Sequence, residues 1–224
     1  TATSSVNMMW MFKRATGFFD VVAYTGNQTA GATQAHNLGV APEMMIVKQR
    51  KVGEARPWSI YHRGIDASAP EDYRISFTTG ARVDDLGQWN DTAPTDSVFT
   101  LGDSTYVNNN NETYIAYLFA TLAGISKVGS YTGTGADLNV DCGFTAGARF
   151  ILIKRSDSTG DWYVYDSARG IVAGNDPYFF LNTTAAQVTN TDYIDPLNAG
   201  FTVTSSAPAG LNASSGTYIF LAIA

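Results

Sequence analysis

The chain has 224 residues, 45% of them hydrophobic and 15% charged, with 14 basic against 20 acidic side chains and a net charge of −6. A chain of this length buries one large core or two modest ones, and its acidic balance, with no basic patch, argues against phosphate-driven binding of nucleic acid. The single cysteine, Cys142, excludes an internal disulfide and a cysteine-based metal centre, and no apolar run approaches the roughly 18 residues of a membrane span.

The first element is a short apolar run, Met8-Met9-Trp10-Met11-Phe12. Beyond it the spacing predicts strands near residues 20–25, 34–38, 44–49, 58–63, 74–78, 98–101 and 114–119. A second series follows near residues 127–132, 137–142, 150–154, 162–166, 178–181, 201–205 and 218–223. These short β-branched and aromatic runs are divided by Gly, Asn, Asp, Ser and Pro clusters, and no helical period is sustained. Seven strands per series is the pattern of an antiparallel β-sandwich. Residues 44–47, 114–120, 150–153 and 218–224 are continuously apolar. They suit central strands covered on both faces, or strands between two units. Trp58-Ser59-Ile60-Tyr61 and Phe201-Thr202-Val203-Thr204 alternate, which suits one face in the core and the other in water.

The two series are related. FKRATGFFDVVAYTG aligns without a gap on FATLAGISKVGSYTG, so that Phe12/Phe119, Gly17/Gly124, Val21/Val128, Tyr24/Tyr131, Thr25/Thr132 and Gly26/Gly133 coincide. Ile46-Val47-Lys48 then matches Leu152-Ile153-Lys154, Trp58-Ser59-Ile60-Tyr61 matches Trp162-Tyr163-Val164-Tyr165, and Thr113-Tyr114-Ile115 matches Thr217-Tyr218-Ile219. A period of about one hundred residues is too long for a solenoid unit and fits one domain per copy. The expected fold class is therefore all-β: two tandem antiparallel β-sandwich domains related by internal duplication, over residues 16–121 and 122–224. In the same register residues 8–12 fall on the last strand of copy one. Residues 1–15 are accordingly expected to be a lead-in strand from a preceding domain, with residues 1–7 its loop.

Catalytic motifs are not evident. The two histidines, His36 and His62, fall where the second copy has Cys142 and Asp166, and no hydrolase or metal-binding motif surrounds them. Asp72 matches Asp176 and Asp91 matches Asp195; paired carboxylates can cleave glycosides, but each stands among turn formers whose backbone it can cap. The segment Asp157-Ser158-Thr159-Gly160-Asp161 reads as a solvated hairpin. No catalytic residue, metal site or cofactor is expected. The aromatic group Trp58, Tyr61, Trp89, Trp162, Tyr163 and Tyr165 is more informative. The matched Trp58 and Trp162 read as core anchors, with sugar stacking as the alternative. Tyr163, Trp89, Tyr165 and Tyr61 are the candidates for ligand contact, Tyr163 foremost because it replaces Ser59 on the opposite strand face.

FFDVVAYTG, HNLGVAPEMMIVK, WNDTAPTDSVFTLG, TYIAYLFATLAGISKVGSYTG, GFTAGARFILIKR and STGDWYVYDSARGIVAGNDPYFFLN resemble a family of virion proteins of marine tailed bacteriophages. In that family a double repeat of this kind forms the C-terminal part of tail-fibre or other surface proteins, often after a lectin-like sandwich. The resemblance implies a non-enzymatic structural protein on the phage particle, in host attachment or virion assembly. It implies other virion proteins and further copies of the same chain as partners, in a homo-oligomer such as a trimer, together with a host-surface glycan. Neither nucleic acid nor membrane insertion is implied. The alternatives are a carbohydrate-binding module, a capsid or tail decoration protein, and a glycan depolymerase working through Asp91 and Asp195.

Overall fold

A computed structural model describes residues 9–51, 53 and 56–224 as an antiparallel all-β fold. In the first half, β1 (Phe19–Thr25), β3 (Met44–Gln49), β4 (Ser59–His62) and β8 (Thr113–Phe119) form a sheet of order β1-β8-β3-β4. Two shorter strands, β2 (Ala32–Ala35) and β7 (Val98–Leu101), pair beside it, as do β5 (Tyr73–Arg74) and β6 (Val83–Asp84). In the second half, β9 (Ser126–Thr132), β11 (Phe150–Arg155), β12 (Trp162–Asp166), β13 (Tyr178–Phe180) and β16 (Thr217–Ile223) form a sheet of order β13-β12-β11-β16-β9. The second small sheet has the order β10-β15-β14, from β10 (Leu138–Asp141), β14 (Ile194–Leu197) and β15 (Gly200–Val203).

Strand periodicity decides how these layers stack. Side chains alternate across a sheet, so the continuous apolar runs supply two faces at once. Met45 and Val47 of β3, with Tyr114, Ala116 and Leu118 of β8, pack against Phe99 and Leu101 of the small sheet and form the first core. Ile151 and Ile153 of β11, with Tyr218, Phe220 and Ala222 of β16, pack against Val140, Ile194, Phe201 and Val203 and form the second. The remaining faces meet each other. Phe19, Met44, Ile60 and Phe119 from one large sheet share a third core with Val128, Leu152, Trp162, Val164, Ile219 and Leu221 from the other. Each such side chain contributes about 1.5–3 kcal/mol on burial, so this shared core ties the two halves firmly together.

The lead-in departs from expectation. Residues 9–14 lie in no strand, and Ala15 makes only an isolated bridge to Phe19. Residues 1–8 of that expected element lie outside the described residues. The correction has a packing cause. Phe12 turns into the shared core against Phe19, Phe119 and Phe150, and Trp10 packs edge-on against Phe150 at 5.8 Å. Gly17, at φ +75°, makes the reversal into β1.

Three one-turn helices, α1 (Leu86–Trp89), α2 (Thr105–Asn108) and α3 (Ala209–Asn212), went unpredicted from the sequence. The last two end on buried asparagines that organise each half in the same way. Asn108 donates to the carbonyls of Gly102 and Thr29 and accepts from Asn27 N–H. Asn212 donates to Thr204 and Ala136 and accepts from Thr134 and Gly135 N–H. Gly26 and Gly133 pass so close to these helices that a Cβ would meet a carbonyl oxygen, Asn109 at 2.4 Å and Ala213 at 2.3 Å. That contact explains both turn glycines.

Candidate functional site

The two large sheets are offset where they meet, and part of the first sheet's inner face stays uncovered. Val21 of β1, Tyr117 of β8 and Ile46 of β3 are half-buried there. With Trp10, Phe12, Trp58 and Phe77 they line an aromatic cleft of about 450 Å³. Trp58 sits just ahead of β4, stacked near Tyr117 with ring centroids 6.5 Å apart and meeting the edge of Phe77 at 5.7 Å. The Lys48 ammonium lies 5.7 Å from the Trp58 ring and donates to the Arg56 carbonyl. Among the described residues no group accepts the Trp58 indole N–H.

The corresponding tryptophan of the second sheet is sealed. Trp162 is 1% exposed and donates Nε1–H to the Ser76 carbonyl at 2.8 Å, and Phe77 meets its ring edge-on at 4.9 Å. The neighbouring Lys154 is fully buried and donates to Gly160 O at 2.8 Å and Thr79 O at 3.4 Å. Burial lowers its pKa to about 8. Gly160 N–H also donates to Thr79 O, and Arg82 N–H donates to Ser156 O. Residues 76–82 of the first half thus close over the second sheet, while the same position on the first sheet remains open.

On the other side of the junction lies a polar groove of about 990 Å³, between residues 63–67 and the exposed edge of β9. Its cations are mostly committed: Arg63 pairs with Glu43 at 2.8 Å and Arg82 with Asp66 at 3.1 Å. Behind it His62 is fully buried, and burial lowers its pKa to about 4, so the ring is neutral.

A family model described as a domain of unknown function, DUF7483, matches residues 3–224. The chain belongs to the DUF7483 family. No curated protein and no solved structure matches it.

The four aromatic residues expected to contact a ligand in this DUF7483 chain do not reach its surface. Tyr163 is 6% exposed, Trp89 1%, Tyr165 0% and Tyr61 3%. The surface placement of Tyr163 is therefore corrected: its strand face is covered by the small sheet, and it packs on Tyr178 and Phe180. Trp89 donates Nε1–H to Tyr73 O and meets Tyr61 edge-on inside the first core. Tyr165 is enclosed in the second core and its hydroxyl has no partner among the described residues. Of the matched tryptophans, Trp162 is the core anchor that the sequence suggested and Trp58 is half-buried.

The polar candidates of the DUF7483 chain serve the backbone. Asp176 is buried and accepts from Tyr193 and Ile194 N–H; burial raises its pKa to about 7, with Asp192 and Asp195 adding repulsion. Asp72 and Asp91 are likewise within electrostatic reach of each other, and the Asp72 pKa is raised by desolvation first and by Asp91 next. Asp91 occupies a left-handed turn at φ 43°. Asp157 is held by Arg155 at 2.9 Å and accepts from Thr217 N–H. Cys142 is buried, which pushes its thiol up to about 12. His36 accepts Leu38 N–H at Nδ1 and reaches Thr95 O through Nε2.

Sequence reasoning did not assign a role to Lys48, Lys154 or residues 76–80. The signal was present in the matched pair Lys48/Lys154 beside the matched pair Trp58/Trp162. Reading it required knowing that one pair would be covered by the other half of the chain.

Proposed function

We propose that this DUF7483 chain is a non-enzymatic structural module of a phage particle, in a tail fibre or another surface protein. It works by attachment, holding a neighbouring virion protein or a host-surface glycan. The observation that carries this reading is the open Trp58 cleft. Large aromatic side chains around a concave, half-buried surface are the usual form of a binding site, and here the matching position of the second sheet is closed by the chain's own segment. The likeness to marine tailed-phage virion proteins supports the particle setting. Repetition of the module in an oligomer would multiply weak contacts into useful avidity.

The test pairs labelled-antibody localisation on intact particles with a glycan array probed by wild type and by Trp58→Ala. Surface labelling, with any glycan signal lost in the variant, is the expected result. Absence from particles would overturn the virion assignment, and glycan binding that survives in Trp58→Ala would remove the cleft from it.

A further inference from the structure

The sealed tryptophan shows what the open one lacks. At Trp162 and Lys154 backbone carbonyls meet the indole N–H, through Ser76 O, and two of the three ammonium hydrogens, through Thr79 O and Gly160 O. Two of these three carbonyls come from one segment, residues 76–79, which crosses over from the other half of the chain. The same segment adds the edge of the Phe77 ring at 4.9 Å.

At Trp58 the Phe77 ring is again edge-on, at 5.7 Å, but of the carbonyls only the local one is present. Lys48 donates to the Arg56 carbonyl, as Lys154 does to that of Gly160. Among the described residues the indole N–H has no acceptor and no carboxylate pairs with Lys48. Both groups are pure donors, so an occupant must bring acceptors, and it must be narrow enough to lie along an aromatic wall.

We propose that the Trp58–Lys48 socket receives an extended polypeptide segment. Its backbone carbonyls would meet the indole N–H and the ammonium, with an apolar side chain set against Trp58, as residues 76–79 do for Trp162 and Lys154. The inference rests on the reading of this cleft as a binding site and names the partner as protein rather than sugar. Extended backbone suits such a role because its carbonyls recur at fixed spacing and its affinity comes from main-chain hydrogen bonds.

The chain supplies its own probe: a synthetic peptide of residues 73–82, YRISFTTGAR, added to the full-length protein. Titration followed by tryptophan fluorescence and calorimetry should show saturable 1:1 binding, and a scrambled peptide should not bind. Trp58→Phe keeps an aromatic ring but removes the N–H, and should weaken binding by about fivefold or more, the worth of one hydrogen bond near 1 kcal/mol. Lys48→Met should weaken it similarly, and a peptide carrying Phe77→Ala should bind less well than the parent. Circular dichroism of both protein variants checks that they fold. No peptide binding, or equal binding to wild type and Trp58→Phe, would overturn the proposal. Trp58-dependent glycan binding without peptide binding would overturn it while leaving the cleft a binding site; if neither ligand bound, both readings would fall.

Discussion

The His62 ring donates from Nε2 to the carbonyl oxygen of Phe220 at 3.1 Å, joining the two large sheets across their shared core. Gly64 N–H donates to Nδ1 at 3.0 Å, which fixes the tautomer. Burial of the ring lowers its pKa from 6.5 to about 4, against the Phe220 hydrogen bond and the Glu43 charge, which favour the proton, and protonation would also end the acceptance of Gly64 N–H at Nδ1. Below pH 6.5 the unfolded chain therefore binds a proton that the folded chain refuses, so stability is lost as pH falls from 6.5 toward 4, by about 3 kcal/mol in all. Asp176 acts in the opposite sense: its folded pKa is raised from 3.8 to about 7, so the folded state is the better proton acceptor between those values and gains stability as pH falls. Urea unfolding at pH 7, 5.5 and 4.5 should show a steeper acid loss in Asp176→Asn than in wild type. A flat profile in that variant would contradict the role given to His62.

Asn212 and Asn108 each close a helix turn onto a neighbouring strand end, with both amide hydrogens and the carbonyl oxygen engaged. Truncation to Ala strands two carbonyls and one or two N–H groups in poorly hydrated surroundings. At about 1–3 kcal/mol for each buried group left unmet, with partial rescue by water, Asn212→Ala and Asn108→Ala should each cost about 3 kcal/mol. Chemical denaturation measures this directly, and a loss below about 1 kcal/mol would mean that water replaces the amide without penalty.

Tyr165→Phe should do the reverse. The hydroxyl is fully buried, lacks a partner among the described residues and lies in the field of Asp176. Removing an unmet polar atom while keeping the ring should raise stability by about 1 kcal/mol. A drop in thermal midpoint would show that the hydroxyl has an acceptor, such as a bound water.

Trp10 donates its indole N–H to Asp166 at 3.1 Å, and the Arg169 guanidinium lies between its ring and that of Phe179, at 5.7 and 4.2 Å. Trp10→Ala loses this bond, the edge contact with Phe150 and much of the cover over Arg169. The expected cost is about 3 kcal/mol, seen as a lowered thermal midpoint with an unchanged far-ultraviolet spectrum. An unaltered midpoint would assign the segment before β1 no part in holding the sheets together.

Much of this architecture was legible because strand alternation is a local property. Met44-Met45-Ile46-Val47 and Phe150-Ile151-Leu152-Ile153 have no polar face to give to water, and the structure packs both of their faces into cores, with Ile46 left half-buried at the open cleft. The strands over residues 44–49, 98–101 and 162–166 fall where spacing placed them. What spacing could not supply was the identity of the covering layer. Tyr163 and Trp58 look alike as aromatic residues on alternating strands, yet one is roofed by a small sheet and the other is left at the rim of a cleft. Residues 9–14 match a strand in residue type, but Trp10 and Phe12 gain more by filling the shared core than a further ladder would give. The one-turn helices escaped notice because they depend on Asn108 and Asn212 closing long-range hydrogen bonds, not on any helical period.

Because the large sheets meet through their inner faces, the β2-β7 sheet and the β10-β15-β14 sheet are carried on opposite outer sides of the stack. Layers packed about 10 Å apart place these outer sheets about 30 Å from one another. Objects seated on the two outer surfaces would be held at a set distance and could not swivel independently. The chain is built less like two beads on a string than like a spacer block, able to hold whatever lies on either side at a fixed separation.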